Sequence, residues 1–295
     1  MSTVAAWFRL ARAGWIMTRE GVVAALPGDQ LSGLPRLGWR VARLLARRGA
    51  KGRQRDQRLA IAVDRLGPSY VKLGQFLATR PDVVGAEIAA DLANLQDRMA
   101  TFPTTEAVAE IEASLGRPVS DLYARFDAPV AAASIAQVHP AIVRQGDGAG
   151  RMVAVKVIRP GVRRRFHADL ESYFLAARLQ ERFIPAARRL RPVEVTKTLA
   201  QTTKIEMDLR LEAAALSELA ENTRDDPGFR VPWVDWERTG RDVVTMEWID
   251  GVKMSDVEGL RAAGHDLEKL SVALIQSFLR HTLRDGFFHA DMHPG

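Results

Sequence analysis

Cysteine is absent from the sequence, which excludes disulfides, thiolate metal sites and cysteine nucleophiles. Long apolar runs are absent too, because no stretch approaches the roughly eighteen consecutive apolar residues of a membrane-spanning helix. A signal peptide is not predicted, since Arg9 and Arg12 interrupt what would be its apolar core. The remaining composition, 47% hydrophobic over 295 residues, indicates a globular chain of one large domain or two ordinary ones.

Acidic residues are scarce near the N-terminus. Residues 1–60 hold twelve basic side chains and three acidic ones, although the whole chain has a net charge of only +6. Two helical pieces are predicted there, broken near Pro27-Gly28 and Pro35, and residues 47–58 are predicted to be a linker. The arginines and tryptophans of these helices suit an anionic membrane surface, but a solvated helix packed on its own domain explains them equally well. Nucleic acid is not a predicted partner, because no base-reading module is visible.

A β-hairpin is predicted between Ala131 and Ile158, with a glycine-rich bend between its two long strands. Alternation in the return strand would bury Val153, Val155 and Val157 on one face and place Ala154, Lys156 and Ile158 on the other. An unpaired ammonium buried among valines would cost several kcal/mol (roughly), so Lys156 indicates an anionic partner. The alternative is a lysine on an edge strand that extends into solvent. Pro140 removes a backbone donor and predicts an edge position or a bulge.

Helices surround this hairpin on both sides. They are predicted over residues 67–80, 86–98, 103–116, 163–204 (with breaks at Pro185 and Pro192), 206–214 and 267–284, and two further strands over 229–233 and 242–246. In the first of these helices Leu73, Phe76 and Leu77 are expected to face the core, while Lys72, Gln75 and Thr79 form a polar face. Asp208 and Glu212 are expected to share one face of the acidic helix. Strands that reverse through tight turns, with helices on one side, predict an α+β fold.

Several short motifs in order resemble the UbiB family of atypical protein-kinase-like proteins, of the ABC1 type, which is associated with ubiquinone biosynthesis. They are Lys72-Leu73-Gly74-Gln75 (its KxGQ signature), residues 131–139 (its alanine-rich loop), Val153 to Lys156 (its phosphate-lysine strand), Glu206-Met207-Asp208 (its ExD element), Glu212 (its helix glutamate) and residues 289–295 (the start of its HxDxHPGN loop). The resemblance implies a protein-kinase-like fold with a complete small lobe, an N-terminal helical extension and a large lobe that is mostly missing. It predicts a basic helical arm (1–60), a helical extension carrying KxGQ (61–125), the small lobe (126–248) and the start of the large lobe (249–295).

The same resemblance implies roles for individual residues in binding ATP or ADP. Asp291 would be the catalytic base, Lys156 would contact the α- and β-phosphates, and Glu212 would hold Lys156 in place. The nucleotide would be bound by Ala132, Ala133, Ser134, Ala154, Lys156, Met246, Glu247 and Trp248. A regulatory set would comprise Lys72, Gln75, Glu206 and Asp208. The ligands for Mg²⁺, an asparagine and the aspartate of a DFG element, would follow Gly295, so the chain is expected to be a fragment and inactive as it stands.

The resemblance therefore implies an ATPase or phosphotransferase that supports ubiquinone biosynthesis from the cytoplasmic face of the inner membrane, bound peripherally. Its partners would be a lipid or quinone intermediate, an anionic membrane surface and other ubiquinone-biosynthesis proteins. A non-catalytic lipid-binding or scaffold component is the alternative. A metal hydrolase built on His289, Asp291 and His293 is disfavoured by the motifs that precede them. A hydroxylase finds no support, because the sequence has no dinucleotide-binding fingerprint.

Overall fold

The computed structural model describes residues 3–25, 34–50, 52–93, 99–146 and 148–288. Contacts between residues divide the chain into two compact units. The first contains Met1–Phe102, Ala131–Gln137 and Ile158–Met207, and the second contains Pro103–Val130, Val138–Val157 and Asp208–Gly295. These units are discontinuous in sequence, and the predicted division into four consecutive segments stays a prediction.

Helices account for most of the described residues. They are α1 (Thr3–Arg19), α2 (Val22–Ala25), α3 (Leu34–Leu45), α4 (Arg55–Leu66), α5 (Pro68–Ala78), α6 (Pro81–Val84), α7 (Ala86–Ala93), α8 (Thr104–Leu115), α9 (Val119–Leu122), α10 (Val162–Phe183), α11 (Pro185–Arg188), α12 (Pro192–Glu206), α13 (Leu209–Asn222), α14 (Val257–Ala262) and α15 (Leu267–Arg280). Proline occupies the first turn of α5, α6, α11 and α12, where its missing N–H costs nothing. The helix predictions around these prolines are confirmed. Residues 94–98, predicted to extend α7, lie outside the described part of the chain.

The strands form one antiparallel sheet, as the predicted α+β class requires. They are β1 (Tyr123–Phe126), β2 (Ala131–Ala132), β3 (Ala136–Val143), β4 (Met152–Ile158) and β5 (Val243–Glu247), in the order β1-β3-β4-β5 with β2 paired to β3. The predicted hairpin is therefore confirmed as β3 and β4. Val153, Val155 and Val157 are fully buried, whereas Ala154 and Lys156 on the other face are half-buried. Ile158, predicted to share the face of Ala154 and Lys156, is buried at the end of the strand.

Pro140 was expected to mark an edge position or a bulge. The edge position is wrong, and the register shift between β1 and β3 lies in β1, between Tyr123 and Arg125. Pro140 lies in β3, which has β1 on one side and β4 on the other. The strand tolerates proline here because the ladder to β1 ends at this point, after Phe126 pairs with Ala141. The amide of Asp127 donates to the carbonyl of Pro140 at 2.9 Å. In any other residue, the backbone amide at position 140 would donate to the carbonyl of Asp127. Proline has no such amide, and this carbonyl lies 2.8 Å from Nδ1 of His139 instead.

Two more secondary-structure predictions need correction. Residues 229–233 form no strand. Their contact with β5 is limited to its edge: the carbonyl of Trp233 accepts from the amide of Glu247 at 2.9 Å, and Val234 forms an isolated bridge with Met246. The acidic helix predicted from Glu206 is not continuous, since α12 ends at Glu206 and α13 begins at Leu209. Asp208 caps the N-terminus of α13, where its carboxylate accepts from the amide of Arg210 at 3.2 Å. Asp208 and Glu212 therefore do not share a helical face.

The buried face of α5 also differs from the prediction. Its buried residues are Pro68, Ser69, Tyr70, Val71 and Gly74, and the expected core residues at 73, 76 and 77 are only half-buried. The hydroxyl of Ser69 hydrogen-bonds to the carboxylate of Asp169 on α10. Burial raises the pKa of Tyr70 to about 12. The helix thus packs through small and aromatic side chains, which leaves its polar face available for other contacts.

The N-terminal region is packed into the first unit. The predicted break near Pro35 falls at the start of α3, in which Pro35 is the second residue, and the break predicted near Pro27-Gly28 lies outside the described residues. The predicted linker contains the start of α4 at Arg55. The carboxylate of Glu20 is buried and lies 2.6 Å from Nη1 of Arg65 and 3.4 Å from Nη1 of Arg47. Arg55 binds Glu87 and Asp91. Within the described ranges, no helix has both the length and the hydropathy needed to cross a membrane.

Candidate functional site

The centre of the candidate site is an ion pair between β4 and α13. The ammonium of Lys156 lies 2.9 Å from Oε1 and 2.7 Å from Oε2 of Glu212. β4 is an inner strand between β3 and β5, so the alternative of an edge-strand lysine extending into solvent is wrong. The amide of Leu209 donates to the carbonyl of Arg241 at 3.0 Å, which fixes the first turn of α13 beside the residues that precede β5. The two side chains remain 28% and 36% exposed, so the pair is accessible to a ligand.

The predicted adenine-binding residues flank this pair on β4 and β5. Ala154 lies opposite Met246 in the strand register, and Val153 lies opposite Glu247. Glu247 is also held by Arg230, whose Nη1 lies 2.7 Å from Oε2. The amides of Glu247 and Trp248 already donate to the carbonyls of Trp233 and Met152, at 2.9 and 3.4 Å. The small side chain of Ala154 and the apolar side chain of Met246 therefore lie on adjacent strands, two residues along β4 from Lys156.

The alanine-rich loop lies in the first unit and is a closed turn. The amide of Ala133 donates to the carbonyl of Ala136 at 2.8 Å, and Ser134 is buried. Arg159 was missed by the sequence reasoning, although it follows β4 directly. Its guanidinium donates to the carbonyls of Ala100 and Ala133, at 2.9 and 3.4 Å, and its amide donates to Ile135 at 2.8 Å. Arg159 thus holds the backbone of the loop that contains Ala132, Ala133 and Ser134.

A second ion pair joins two of the four residues predicted to be regulatory. The ammonium of Lys72 on α5 lies 2.5 Å from Oε2 of Glu206 at the end of α12. Gln75, half-buried, follows one turn later on α5. Asp208 instead binds the guanidinium of Arg210, at 2.7 and 2.9 Å, and this hydrogen-bonded arginine lowers the pKa of the carboxyl. The KxGQ and ExD motifs are therefore linked within the first unit through Lys72 and Glu206.

Comparison with known proteins identifies the family. Residues 94–295, more than half of the chain, match the ABC1 atypical kinase-like domain. The chain belongs to this family. The resemblance stated from the motifs is thereby confirmed.

Two curated ABC1-type relatives are the probable protein kinases UbiB of Marinobacter nauticus and Pseudomonas paraeruginosa. Each is 42% identical over 242 residues, which is 82% of this chain and 44% or 45% of the relative. A solved structure titled as the complex of Rv3197 with erythromycin from Mycobacterium tuberculosis is also similar. It has a TM-score of 0.52 and 29% identity, and the match covers 81% of this chain and 59% of that one. The kinase-like α+β fold is confirmed, and the chain spans about half the length of the curated relatives it matches.

The remaining predicted catalytic residue, Asp291, lies outside the described part of this ABC1-family chain, as do His289 and His293. The described segment that leads towards them is a turn of π-helix, His281–Asp285. Arg284 in this turn binds Asp226, at 2.7 and 3.1 Å, an anchor that the sequence reasoning missed. Among the residues whose placement is described, no three His, Asp or Glu side chains are grouped as metal ligands.

Proposed function

We propose that this chain carries the nucleotide-binding elements of an ATPase or phosphotransferase of the kinase-like type that supports ubiquinone biosynthesis. The observation that carries the proposal is the ion pair of Lys156 with Glu212. A nucleotide brings several negative charges, and a lysine that is already oriented by a carboxylate offers them a fixed cation. The curated relatives are named probable protein kinases UbiB, which supports the same reaction class and pathway for this chain.

The residues present fit an adenine nucleotide. Ala154 offers only a methyl group on the half-buried face of β4, and its strand partner Met246 offers an apolar thioether, so a planar ring can lie against both. Lys156, two residues further on the same face, would bind the phosphates, and Glu212 would keep its ammonium in place. The family motif also assigns Ala132, Ala133 and Ser134 of the alanine-rich loop to nucleotide binding. We propose that Glu247 and Trp248 belong to the hinge segment beside the adenine.

Further roles follow from the family motifs. Asp291 would act as the base that orients the attacking hydroxyl group or water. A base positioned in this way typically raises the reaction rate by about 10²–10⁴-fold. Mg²⁺, which neutralises phosphate charge during transfer, would be held by residues that follow Gly295. The pair of Lys72 with Glu206, together with Gln75 and Asp208, would regulate access to the nucleotide. The substrate would be a lipid or quinone intermediate, met at the cytoplasmic face of the inner membrane with other ubiquinone-biosynthesis proteins.

ATP hydrolysis tests this proposal. A version extended to the length of the curated relatives should hydrolyse ATP, and residues 1–295 alone should not. In the extended version, Asp291→Asn should lower the turnover rate about 10²–10⁴-fold. Full turnover by the Asp291→Asn variant would contradict the assignment of the base. Turnover by the short chain at a comparable rate would mean that residues within 1–295 hold the metal.

A non-catalytic lipid-binding or scaffold role is the second candidate. It is favoured by the basic N-terminal arm, in which the large apolar side chains of Trp7, Phe8 and Leu44 are exposed. This role predicts that the extended version binds anionic lipid but hydrolyses no ATP. The same hydrolysis assay therefore separates the two candidates.

A further inference from the structure

Helix α3 carries an apolar row and a basic row on its exposed side. Leu37, Val41 and Leu44 follow one another at helical spacing, and they are 58%, 45% and 81% exposed. Arginines at positions 36, 40 and 43 form the second row and are exposed as well. At about 100° per residue, the two rows lie side by side, roughly 100° apart around the helix axis. This arrangement leaves an apolar stripe beside a line of positive charge.

The opposite side of α3 is the side that packs on the first unit. Ala42 and Ala46 are buried, and they lie about half a turn away from the apolar row. The helix is therefore fixed to the protein through alanines, with its large apolar side chains directed outward. Its C-terminal end is held by Arg19, whose guanidinium donates to the carbonyl of Leu45 at 3.1 Å. The buried carboxylate of Glu20 binds Arg47 in the next turn.

We propose that α3 is an interfacial helix that lies on an anionic lipid bilayer, with Leu37, Val41 and Leu44 inserted among the acyl chains. An amphipathic helix of this kind binds through buried apolar area and through attraction of its basic residues to anionic lipids. Guanidinium groups are favoured at the depth of lipid headgroups, where the arginine row would lie. The proposal rests on the membrane partner named in the proposed function, and it adds which residues insert into the bilayer.

Charge favours a bilayer over a second copy of this chain. A second copy of the chain seated on this stripe would bring two rows of arginines together, which is repulsive. Nucleic acid would satisfy the arginines but would leave the leucines exposed to water. Helix α1, which packs against α3, adds further exposed apolar side chains, namely Val4, Trp7, Phe8 and Trp15. An anionic bilayer accommodates both the apolar row and the basic row.

The absence of cysteine allows a test at one chosen position. Leu44→Cys, labelled with a polarity-sensitive fluorophore such as NBD, should show a blue shift and an intensity gain of several-fold with vesicles of phosphatidylcholine and phosphatidylglycerol. Vesicles of phosphatidylcholine alone should give little change, and about 0.5 M salt should weaken the response, because salt screens charge attraction. Thr198→Cys, exposed on α12 of the same unit, is the matched control and should not respond.

Variants test the two rows separately. Replacing Arg36, Arg40 and Arg43 by Gln should lower vesicle partitioning at least tenfold, since each basic residue near an anionic surface contributes about fivefold. Replacing Leu37, Val41 and Leu44 by Ser should lower it similarly, whereas Phe183→Ser with Ile184→Ser, exposed at the end of α10, should not.

Several outcomes would overturn the inference: no response of the label at 44, an equal response to neutral vesicles, or a response that appears only with duplex DNA or at high protein concentration. None of these measurements uses ATP. Failure of the catalytic proposal would therefore leave the lipid result unchanged, and failure of the lipid result would leave the nucleotide site in place.

Discussion

Replacement of Lys156 by Met is the most direct test of the candidate nucleotide site. Met retains an apolar side chain of similar length but lacks the ammonium, which lies 2.7 and 2.9 Å from the carboxylate oxygens of Glu212. In a nucleotide complex this ammonium would donate a charge-assisted hydrogen bond to phosphate, worth about 1.5–3 kcal/mol. The affinity for ATP or ADP should therefore fall about 10- to 150-fold.

The same substitution should have a much smaller effect on folding. The side chains of Lys156 and Glu212 are 28% and 36% exposed, so water screens their attraction. A pair of this kind contributes up to about 1 kcal/mol to the free energy of unfolding. A large loss of affinity with a small loss of stability would identify Lys156 as a ligand-binding residue. A loss of both in proportion would identify it as structural.

The assay is a fluorescence titration of a labelled adenine nucleotide into the extended version, paired with urea denaturation of the same samples. Glu212→Gln keeps the ammonium but weakens its orientation, so its affinity should fall only about 2- to 5-fold, or roughly 0.5–1 kcal/mol. Lys197→Met removes an exposed lysine paired with Glu194 and serves as the control. The reasoning is refuted if Lys156→Met binds nucleotide as tightly as the unsubstituted protein, or no more weakly than Lys197→Met.

Three further predictions concern stability and can be checked by urea denaturation. Glu20→Gln should lower the free energy of unfolding by about 1–2 kcal/mol, because the buried carboxylate faces Arg65 and Arg47, and a loss below about 0.5 kcal/mol would contradict this. Asp226→Asn should destabilise the protein at neutral pH. Arg284 lowers the pKa of Asp226, so this stabilisation is complete above the unfolded pKa of about 3.9 and is lost as the pH falls through the lower folded value. The difference from the unsubstituted protein should therefore shrink in acid, and a pH-independent difference would argue against the ion pair. Thr203→Val should be neutral or stabilising by up to about 1 kcal/mol, since Oγ1 of Thr203 is buried with no hydrogen-bond partner in the described structure, and a loss above about 1 kcal/mol would reveal a partner.

Local sequence patterns determined much of the secondary structure. The alternation of Val153, Val155 and Val157 specified which face of β4 is buried, because successive side chains of a strand point to opposite sides. Prolines set the starts of α5 and α12, since the ring removes a donor that the first helical turn does not need. The motifs around Lys156 and Glu212 also predicted a pair that the structure places within hydrogen-bond distance. The roles of these residues in nucleotide binding remain predictions.

Tertiary structure decided what depended on neighbours distant in sequence. Pro140 occupies an inner strand because β1 stops beside it and His139 contacts the carbonyl of Asp127 that a backbone donor would otherwise meet. The acidic sequence pattern did not predict the break between Glu206 and Leu209, because its spacing is compatible with one continuous helix. The structure shows instead that Asp208 caps the next helix by accepting a hydrogen bond from the amide of Arg210. The role of the polar face of α5 also depended on a partner that is distant in sequence. Helical spacing shows that Lys72 and Gln75 share a face, but only the folded chain brings Glu206 to Lys72, because the partner of a charge is set by packing and not by local propensity.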